Sequence, residues 1–156
     1  MAVDVLKRIP VREQDPKVRA ANFEEVCYGY NKEEAMEEAS RCLGCKNAKC
    51  IQGCPVNINI PGFIAKIKEG NMEDAYKVIG ESSALPAICG RVCPQESQCE
   101  SKCIRGLKGE AISIGKLERY VADYALANNI MPDKAEKTNG HKVAVIGSGP
   151  SGLTCA

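Results

Sequence analysis

Apolar residues recur at intervals of three and four positions in several stretches of the chain, which predicts amphipathic helices joined by loops. The clearest stretch is 113–127, where one helical face carries Ile114, Leu117, Val121, Tyr124 and Ala125. Shorter helices are predicted over 32–43, from Pro61 to Gly70, and from Asn71 to about Ile79. The middle of the chain is therefore predicted to be helical.

Local residues predict where these helices begin and end. Asn31 is a favourable N-cap, and Glu34 three residues later gives a pattern close to a capping box. Pro61 suits the first turn of a helix, whereas Gly44 and Gly70 suit the position just after one.

The two ends of the chain differ from this helical middle. Residues 1–31 mix prolines with polar positions and predict an irregular arm with short helical pieces. Residues 128–141 have the composition of a linker, and the run from Lys142 to Ile146 predicts a buried strand. The predicted units are an arm and helical domain over 1–127, the linker, and the start of a second domain over 142–156.

The predicted strand leads directly into a GxGxxG motif formed by Gly147, Gly149 and Gly152. After a strand and before a helix, this motif is typical of a Rossmann-type dinucleotide site, because the glycines let a pyrophosphate approach the helix N-terminus. The structural alternative is an ordinary glycine-rich turn. The acidic residue expected about 20 positions later would lie beyond Ala156. We therefore expect the first part of a longer flavoprotein, with an incomplete FAD loop that binds no dinucleotide by itself.

Composition and charge narrow the possible functions. The 156 residues suffice for one domain and part of a second, and a net charge of +1 gives no electrostatic case for nucleic acid or an anionic membrane. No apolar run approaches the about 20 residues of a membrane-spanning helix. Two Phe, five Tyr and no Trp leave few large core side chains, so bound metal would add cohesion. We expect a cytoplasmic protein without nucleic-acid or membrane partners.

Eight of the ten cysteines fall into two groups. The first group is Cys42, Cys45, Cys50 and Cys54, and the second is Cys89, Cys93, Cys99 and Cys103. Closely spaced cysteines, with one before a proline that serves the other cluster, are the ferredoxin pattern. The gap of four residues between Cys45 and Cys50 departs from the bacterial ferredoxin spacing of two. The groups nevertheless predict two [4Fe–4S] clusters.

A disulfide framework and structural zinc fit the cysteines less well. Disulfide frameworks are typical of short secreted chains, but the first residues lack the apolar core of a signal peptide. Structural zinc prefers paired CxxC units and often histidine. Only Cys42 and Cys45 form such a pair, and the single histidine, His141, is far away in sequence.

The ferredoxin rule also suggests how the cysteines divide between two clusters. The cysteine before proline crosses to the other cluster, which sends Cys54 to the second, and the same logic returns Cys103 to the first. The first cluster then has as ligands Cys42, Cys45, Cys50 and Cys103. The second has Cys54, Cys93 and Cys99 and needs one more ligand, for which spacing alone nominates Cys89.

Longer stretches of the chain resemble a known family. These stretches are RCLGC at 41–45, ICGRVCP at 88–94, IGKLERY at 114–120 and VIGSGPSG at 145–152, with DPKVRAANFEEV at 15–26. Together they resemble the N-terminal part of the small (beta) subunit of NADPH-dependent glutamate synthase, over essentially the whole chain. Dihydropyrimidine dehydrogenase, the ferredoxin–NADP transhydrogenase large subunit and sulfide dehydrogenase share these motifs.

The resemblance implies an all-α, ferredoxin-like domain with two [4Fe–4S] clusters, followed by FAD and NADPH domains. Electrons would pass from NADPH through FAD and the clusters to a flavin in the large subunit. That flavin would drive the reductive transfer of the glutamine amide nitrogen to 2-oxoglutarate. The resemblance also implies that Glu118 supplies an oxygen ligand to the second cluster, which would leave Cys89 an unliganded thiol. The parent would be an oxidoreductase, whereas the present chain alone is expected not to be catalytic.

Several residues near these motifs have simpler interpretations. Cys27 and Cys155 lie outside both groups and are interpreted as inert small apolar residues, and His141 as a surface residue. The cations flanking the cysteines could offset cluster charge or form an ordinary solvated surface: Arg41, Lys46, Lys49, Arg91, Lys102 and Arg105. A functional alternative of another class is a metal-stabilised docking module without redox activity.

Overall fold

The computed structural model describes residues 5–132 and 139–156. In these ranges the chain is mostly helical, as predicted, with one two-stranded antiparallel sheet formed by β1 (Arg12–Glu13) and β2 (Cys27–Gly29). The helices are α1 (Pro16–Arg19), α2 (Lys32–Ser40), α3 (Lys49–Gln52), α4 (Ile60–Lys68), α5 (Met72–Gly80), α6 (Pro86–Val92), α7 (Ile114–Ala127) and α8 (Pro150–Cys155). Two 3-10 helices, Glu100–Lys102 and Ile104–Leu107, lie between α6 and α7.

The predicted helix starts are present with their caps. Asn31 accepts a hydrogen bond from the N–H of Glu34, whose carboxylate accepts one from the N–H of Asn31, so the capping box before α2 is complete. Asn71 caps α5 by accepting from the N–H of Asp74. Helix α2 ends at Ser40, three residues before its predicted end, and Gly44 then turns the chain with a φ of 61°.

The hydrophobic core lies where α2, α4, α5 and α7 pack on one another. Its largest fully buried apolar side chains are Phe63, Ile64, Ile67, Ile79, Ile112, Ile114, Leu117 and Val121. Four half-buried cysteines pack against this core: Cys42, Cys50, Cys54 and Cys103. The cysteine loops therefore border the core.

The N-terminal arm is more ordered than the sequence predicted. Gln14 is buried, and its amide donates to the carbonyls of Glu24 and Glu25 while its N–H donates to the carbonyl of Val26. These bonds fold the arm back on itself and allow β1 to pair with β2.

The strand predicted from Lys142 to Ile146 is absent from this described segment. A strand needs a neighbour to pair its N–H and C=O groups, and within the described ranges none pairs with 142–146. Val143 and Ile146 are accordingly exposed. The helix expected after the glycines is present as α8, and the 117° φ of Gly147 favours glycine there. The predicted linker falls partly on residues 133–138, outside the described ranges.

Candidate metal centres

Four cysteines from two distant segments line one cavity of about 510 Å³: Cys42, Cys45, Cys50 and Cys103. Core side chains of α4 and α7, including Ile64 and Ile114, form part of its wall. Cys103 reaches the cavity because the 3-10 helix Glu100–Lys102 packs on α3. These four residues are the set that the sequence assigned to a first cluster.

The thiols of this first set are close enough to affect one another's ionisation. Burial, followed by the negative charge of Cys103 and Cys42, raises the pKa of Cys50 to about 11. Burial also raises the pKa of Cys42, with Cys103 and Cys45 acting in the same direction. A bound metal would reverse this preference, because it deprotonates the thiols that coordinate it.

The second predicted set is also brought together. Burial raises the pKa of Cys93 to about 11, and interactions with Cys89, Glu118 and Cys54 act in the same direction. Burial raises the pKa of Cys99 to about 12, and the charges of Glu100, Cys54 and Glu118 act in the same direction. Cys54 and Glu118 are therefore within electrostatic reach of both Cys93 and Cys99, although the four residues come from three separate segments.

Glu118 is the most unusual residue of this second set. It lies on α7, the residue is 7% exposed, and burial raises the pKa of its carboxyl to about 7. Its Oε1 has no hydrogen-bond partner among the described residues. A buried polar atom without a partner is costly and calls for an explanation. A bound metal beside Cys93 and Cys99 would supply the missing partner.

Cys89 lies on α6, and Cys93 directly follows this helix, where its N–H donates to the carbonyl of Cys89 at 3.0 Å. The structure thus brings both candidates for the last ligand to the second set. The charge of the Glu118 carboxylate helps to raise the pKa of both Cys93 and Cys99. Glu118 therefore remains our prediction for this ligand, with Cys89 as the alternative.

The donor sets fit an iron–sulfur cluster by their chemistry. All ten cysteines lie in the described ranges, and each is a free thiol. Within those ranges, no three His, Cys, Asp or Glu side chains are close enough to hold one metal ion. Thiolate is the ligand that iron–sulfur clusters use, and the first set supplies four cysteines and the second three.

The two cysteine segments cross at Gly53, between Cys50 and Cys54. A Cβ at this position would lie 2.7 Å from the carbonyl oxygen of Gln98, just before Cys99. Only a residue without a side chain permits this approach. The crossing lets each short segment contribute to both sets of donors.

Sequence reasoning missed the buried ion pair next to the first set. Arg41 and Glu38 are both fully buried, with 2.6 Å between Nη1 of Arg41 and Oε1 of Glu38. Arg91 likewise pairs with Glu25 and Asp123. Arg41 and Arg91 are therefore not free surface cations, because each has carboxylate partners. The three-residue spacing of Glu38 and Arg41 is one at which helix side chains meet, but it does not show that the pair is buried, and the partners of Arg91 are distant in sequence.

Other residues singled out from the sequence lie away from the donor sets. His141 is exposed, as predicted, Cys27 is half-buried in β2, and Cys155 is exposed on α8. Of the helices in the described part of the chain, none has the length and apolar character needed to cross a bilayer.

A helical domain built around clustered thiols is characteristic of iron–sulfur proteins. A family model described as dihydropyrimidine dehydrogenase domain II, 4Fe-4S cluster, matches residues 19–130, and the chain belongs to this family. The family identifies the domain as one that holds [4Fe–4S] iron.

Curated relatives are oxidoreductase subunits. The chain is 40% identical to the glutamate synthase [NADPH] small chain of Halomonas elongata, and the match covers 95% of this chain and 33% of that protein. It is 37% identical to the Escherichia coli small chain, over 100% of this chain and 34% of the relative. It is 43% identical to the Escherichia coli NAD-dependent dihydropyrimidine dehydrogenase subunit PreT, and this match covers 76% of this chain and 29% of that protein. The chain thus spans about a third of these relatives.

Proposed function

We propose that this domain holds two [4Fe–4S] clusters and transfers electrons through them. The ligands of the first cluster are Cys42, Cys45, Cys50 and Cys103. The ligands of the second are Cys54, Cys93, Cys99 and Glu118, with Cys89 as the alternative to Glu118. The observation that carries the proposal is the buried Oε1 of Glu118, which has no hydrogen-bond partner among the described residues and belongs to a carboxylate that helps to raise the pKa of Cys93 and Cys99. When bound, each cluster supplies a centre that accepts and releases one electron.

The chain's own residues would hold the clusters close and keep water away. Three residues separate Cys50 from Cys54, and three separate Cys99 from Cys103. Each of these short segments would join a ligand of one cluster to a ligand of the other. The apolar wall of the first cavity would lower the local dielectric, which tunes the reduction potential.

Cations beside the first set would offset the negative charge of a thiolate-bound cluster. Lys68 donates through Nζ to the carbonyl of Cys42, at 2.5 Å, and Arg105 donates through Nε to the carbonyl of Arg41, at 2.8 Å. Both bonds also fix the backbone at the start of the first cysteine loop. Hydrogen bonds and charges of this kind set cluster potentials.

The whole protein is proposed to be an NADPH-dependent oxidoreductase of the glutamate synthase type. Similarity to two small chains of that enzyme supports this proposal. Electrons would pass from NADPH to FAD, then through the clusters to a flavin in a large partner subunit, for reductive amide transfer from glutamine to 2-oxoglutarate. Residues 142–156 would begin the FAD domain, with Gly147, Gly149 and Gly152 in its phosphate loop.

The same module could serve a related oxidoreductase, and the similarity to PreT favours keeping this alternative. Sulfide dehydrogenase and ferredoxin–NADP transhydrogenase are further candidates that the sequence motifs do not separate. In each of them the domain would perform the same electron transfer. The alternative of another class is a docking module in which metal only stabilises the helices.

Iron and sulfide analysis of the anaerobically purified chain tests the proposal. We expect about eight iron atoms per chain and a broad absorbance near ~400 nm that dithionite bleaches, as thiolate-bound iron–sulfur clusters show. A colourless protein containing zinc would contradict electron transfer and favour the docking module. A coloured protein that dithionite fails to reduce would contradict it as well.

A further inference from the structure

Helix α7, which carries Glu118, begins with an unusual cap. The side chain of Ser113 makes no capping hydrogen bond within the described residues. Carboxylates from distant segments take its place. Oε1 of Glu38 accepts from the N–H of Ser113 at 2.8 Å, and Oε1 of Glu100 accepts from the N–H of Gly115 at 3.2 Å. Both carboxylates are buried at the positive end of the helix dipole, where negative charge is favourable.

Two consecutive residues of the N-terminal arm bind the second oxygens of these carboxylates. Nη2 of Arg8 donates to Oε2 of Glu100 at 2.6 Å, and the N–H of Ile9 donates to Oε2 of Glu38 at 2.8 Å. Nε of Arg8 also donates to the carbonyl of Ala111 at 2.7 Å, just before α7. The arm therefore holds both caps of α7 through one dipeptide.

Each capping carboxylate is close in sequence to a candidate iron ligand. Glu38 precedes Cys42 by four residues, and Glu100 follows Cys99 directly. Glu118 lies three residues after Gly115, which is about one helical turn. The two carboxylates thus fix the first turn of α7 relative to the cysteine segments. This turn directly precedes Glu118 and therefore sets the position of its carboxylate.

We propose that Arg8 is a positioning residue that holds Glu118 at the second cluster through Glu100 and the start of α7. This inference rests on the proposed function, because it takes Glu118 as an iron ligand. Without the Arg8 side chain, Glu100 would keep a buried charge with no ion-pair partner and could turn away from Gly115. The first turn of α7 would then be free to shift, and Glu118 with it. Residues that hydrogen-bond directly to a metal ligand change the metal affinity about 10–100-fold when they are replaced, and because Arg8 acts from further away, we expect an effect at the lower end of that range.

The experiment compares Arg8→Gln with Arg12→Gln in the full chain carrying its clusters. Arg12 is a matched control, since it lies on the same arm and pairs with Glu34 on the surface. Ferricyanide can oxidise a [4Fe–4S]²⁺ cluster by one electron, with loss of one Fe²⁺, which leaves [3Fe–4S]⁺. That product has its own EPR signal. Glu118→Ala provides the reference signal for a second cluster whose oxygen ligand is missing.

We expect Arg8→Gln to produce the Glu118→Ala signal about ten-fold faster than the wild type. Arg12→Gln should match the wild type. Arg8→Lys should be intermediate, because lysine can pair with Glu100 but cannot also reproduce the second guanidinium bond to Ala111. Arg8→Lys also provides a milder variant if Arg8→Gln does not fold.

Three results would overturn the inference. The first is a wild-type rate for both Arg8 variants while Glu118→Ala produces its signal. The second is equal loss of both clusters in the Arg8 variants, which would show a general role in folding. The third is an intact second cluster in Glu118→Ala, which would remove Glu118 from the ligand set and identify the proposed function as the part that failed.

Discussion

Gly90 of α6 contacts Arg119 of α7 so closely that a Cβ at position 90 would lie 2.7 Å from the backbone nitrogen of Arg119. This contact brings α6, which carries Cys89 and ends just before Cys93, against α7, which carries Glu118. Arg91 reinforces it by pairing with Asp123 of α7, with 2.9 Å between Nη1 and Oδ1. The second set of donors therefore depends on how closely α6 and α7 pack.

Replacing Gly90 with alanine should separate these two helices. The added methyl group would meet backbone atoms of Arg119, which cannot move aside as the end of a flexible side chain could. Overpacking of this kind costs about 1–3 kcal/mol. We expect denaturant curves to show that loss and iron analysis to show depletion of the second cluster. Gly80→Ala is the control, because no described heavy atom lies within 4 Å of its added Cβ; equal effects of the two changes would contradict the prediction.

The buried pair of Glu38 and Arg41 gives a second prediction. Glu38→Gln keeps the shape of the side chain but leaves Arg41 as a charge without a carboxylate partner in a fully buried place. Breaking one partner of such a pair costs about 3–5 kcal/mol. The free energy of unfolding should fall by that order. Glu69→Gln removes a surface pair of the same spacing with Lys66 and should cost less than about 1 kcal/mol. A Glu38→Gln protein as stable as Glu69→Gln would refute this.

The contrast between these pairs shows what the sequence could predict. Asn31 with Glu34, and Asn71 with Asp74, are local partners, so helix starts followed from residues three apart. The division of the cysteines between two clusters stays a prediction, and it rests on the position of proline, which carries information about crossing. Contacts such as Arg8 with Glu100 join residues 92 positions apart, and no local pattern indicates them.

The strand expected at Lys142 to Ile146 fails for a related reason. Its apolar run is a property of the segment, but a strand exists only when another backbone pairs with it. The glycine turn and α8 form from local bonds and are present. Local signals were therefore sufficient for helices and turns, and insufficient wherever a distant partner was required.

Ionisation of the buried Tyr30 hydroxyl should lower the stability of the fold at alkaline pH. Its hydroxyl donates to the carbonyl of Ile9 at 2.7 Å, and burial raises its pKa to about 12 from an ordinary value near 10. Because the folded state favours the neutral phenol, the contribution of Tyr30 to the free energy of unfolding is complete below about pH 10. It is lost as the pH rises towards about 12. Unfolding free energies measured from pH 9 to 12 should fall less steeply for Tyr30→Phe, which loses about 1 kcal/mol at neutral pH. Parallel curves for the two proteins would exclude Tyr30 as the group responsible.

Removal of iron should unfold the regions that carry the cysteines. Their regular structure consists of short elements, such as α3 with four residues and a 3-10 helix with three. The core beside them contains a single Phe among its largest fully buried side chains. Metal binding free energy therefore becomes part of folding free energy. After chelation we expect lost near-UV circular dichroism and dye binding with retained helical signal. A sharp thermal transition that iron removal leaves unchanged would contradict this dependence.

The last ligand of the second cluster can be identified by substitution. Oε1 of Glu118 is buried without a hydrogen-bond partner among the described residues. The Glu118 carboxylate helps to raise the pKa of both Cys93 and Cys99, whereas Cys89 does so for Cys93. Glu118→Ala should therefore lose or alter one cluster while the other persists. Cys89→Ser should keep both clusters and near wild-type iron content. Oxygen is a harder ligand than thiolate, so the affected cluster should also have its own EPR spectrum.

Cys103→Ser is the matched test for the first cluster. Cys103 lines the cavity with Cys42, Cys45 and Cys50 despite its distance from them in sequence. Its replacement should damage the first cluster and spare the spectrum that Glu118→Ala alters. The double variant Cys103→Ser with Glu118→Ala should then lose both signals, because each change acts on a different cluster. If Cys89→Ser removes a cluster and Glu118→Ala does not, Cys89 is the ligand, and the buried Glu118 carboxylate must be stabilised by protonation instead.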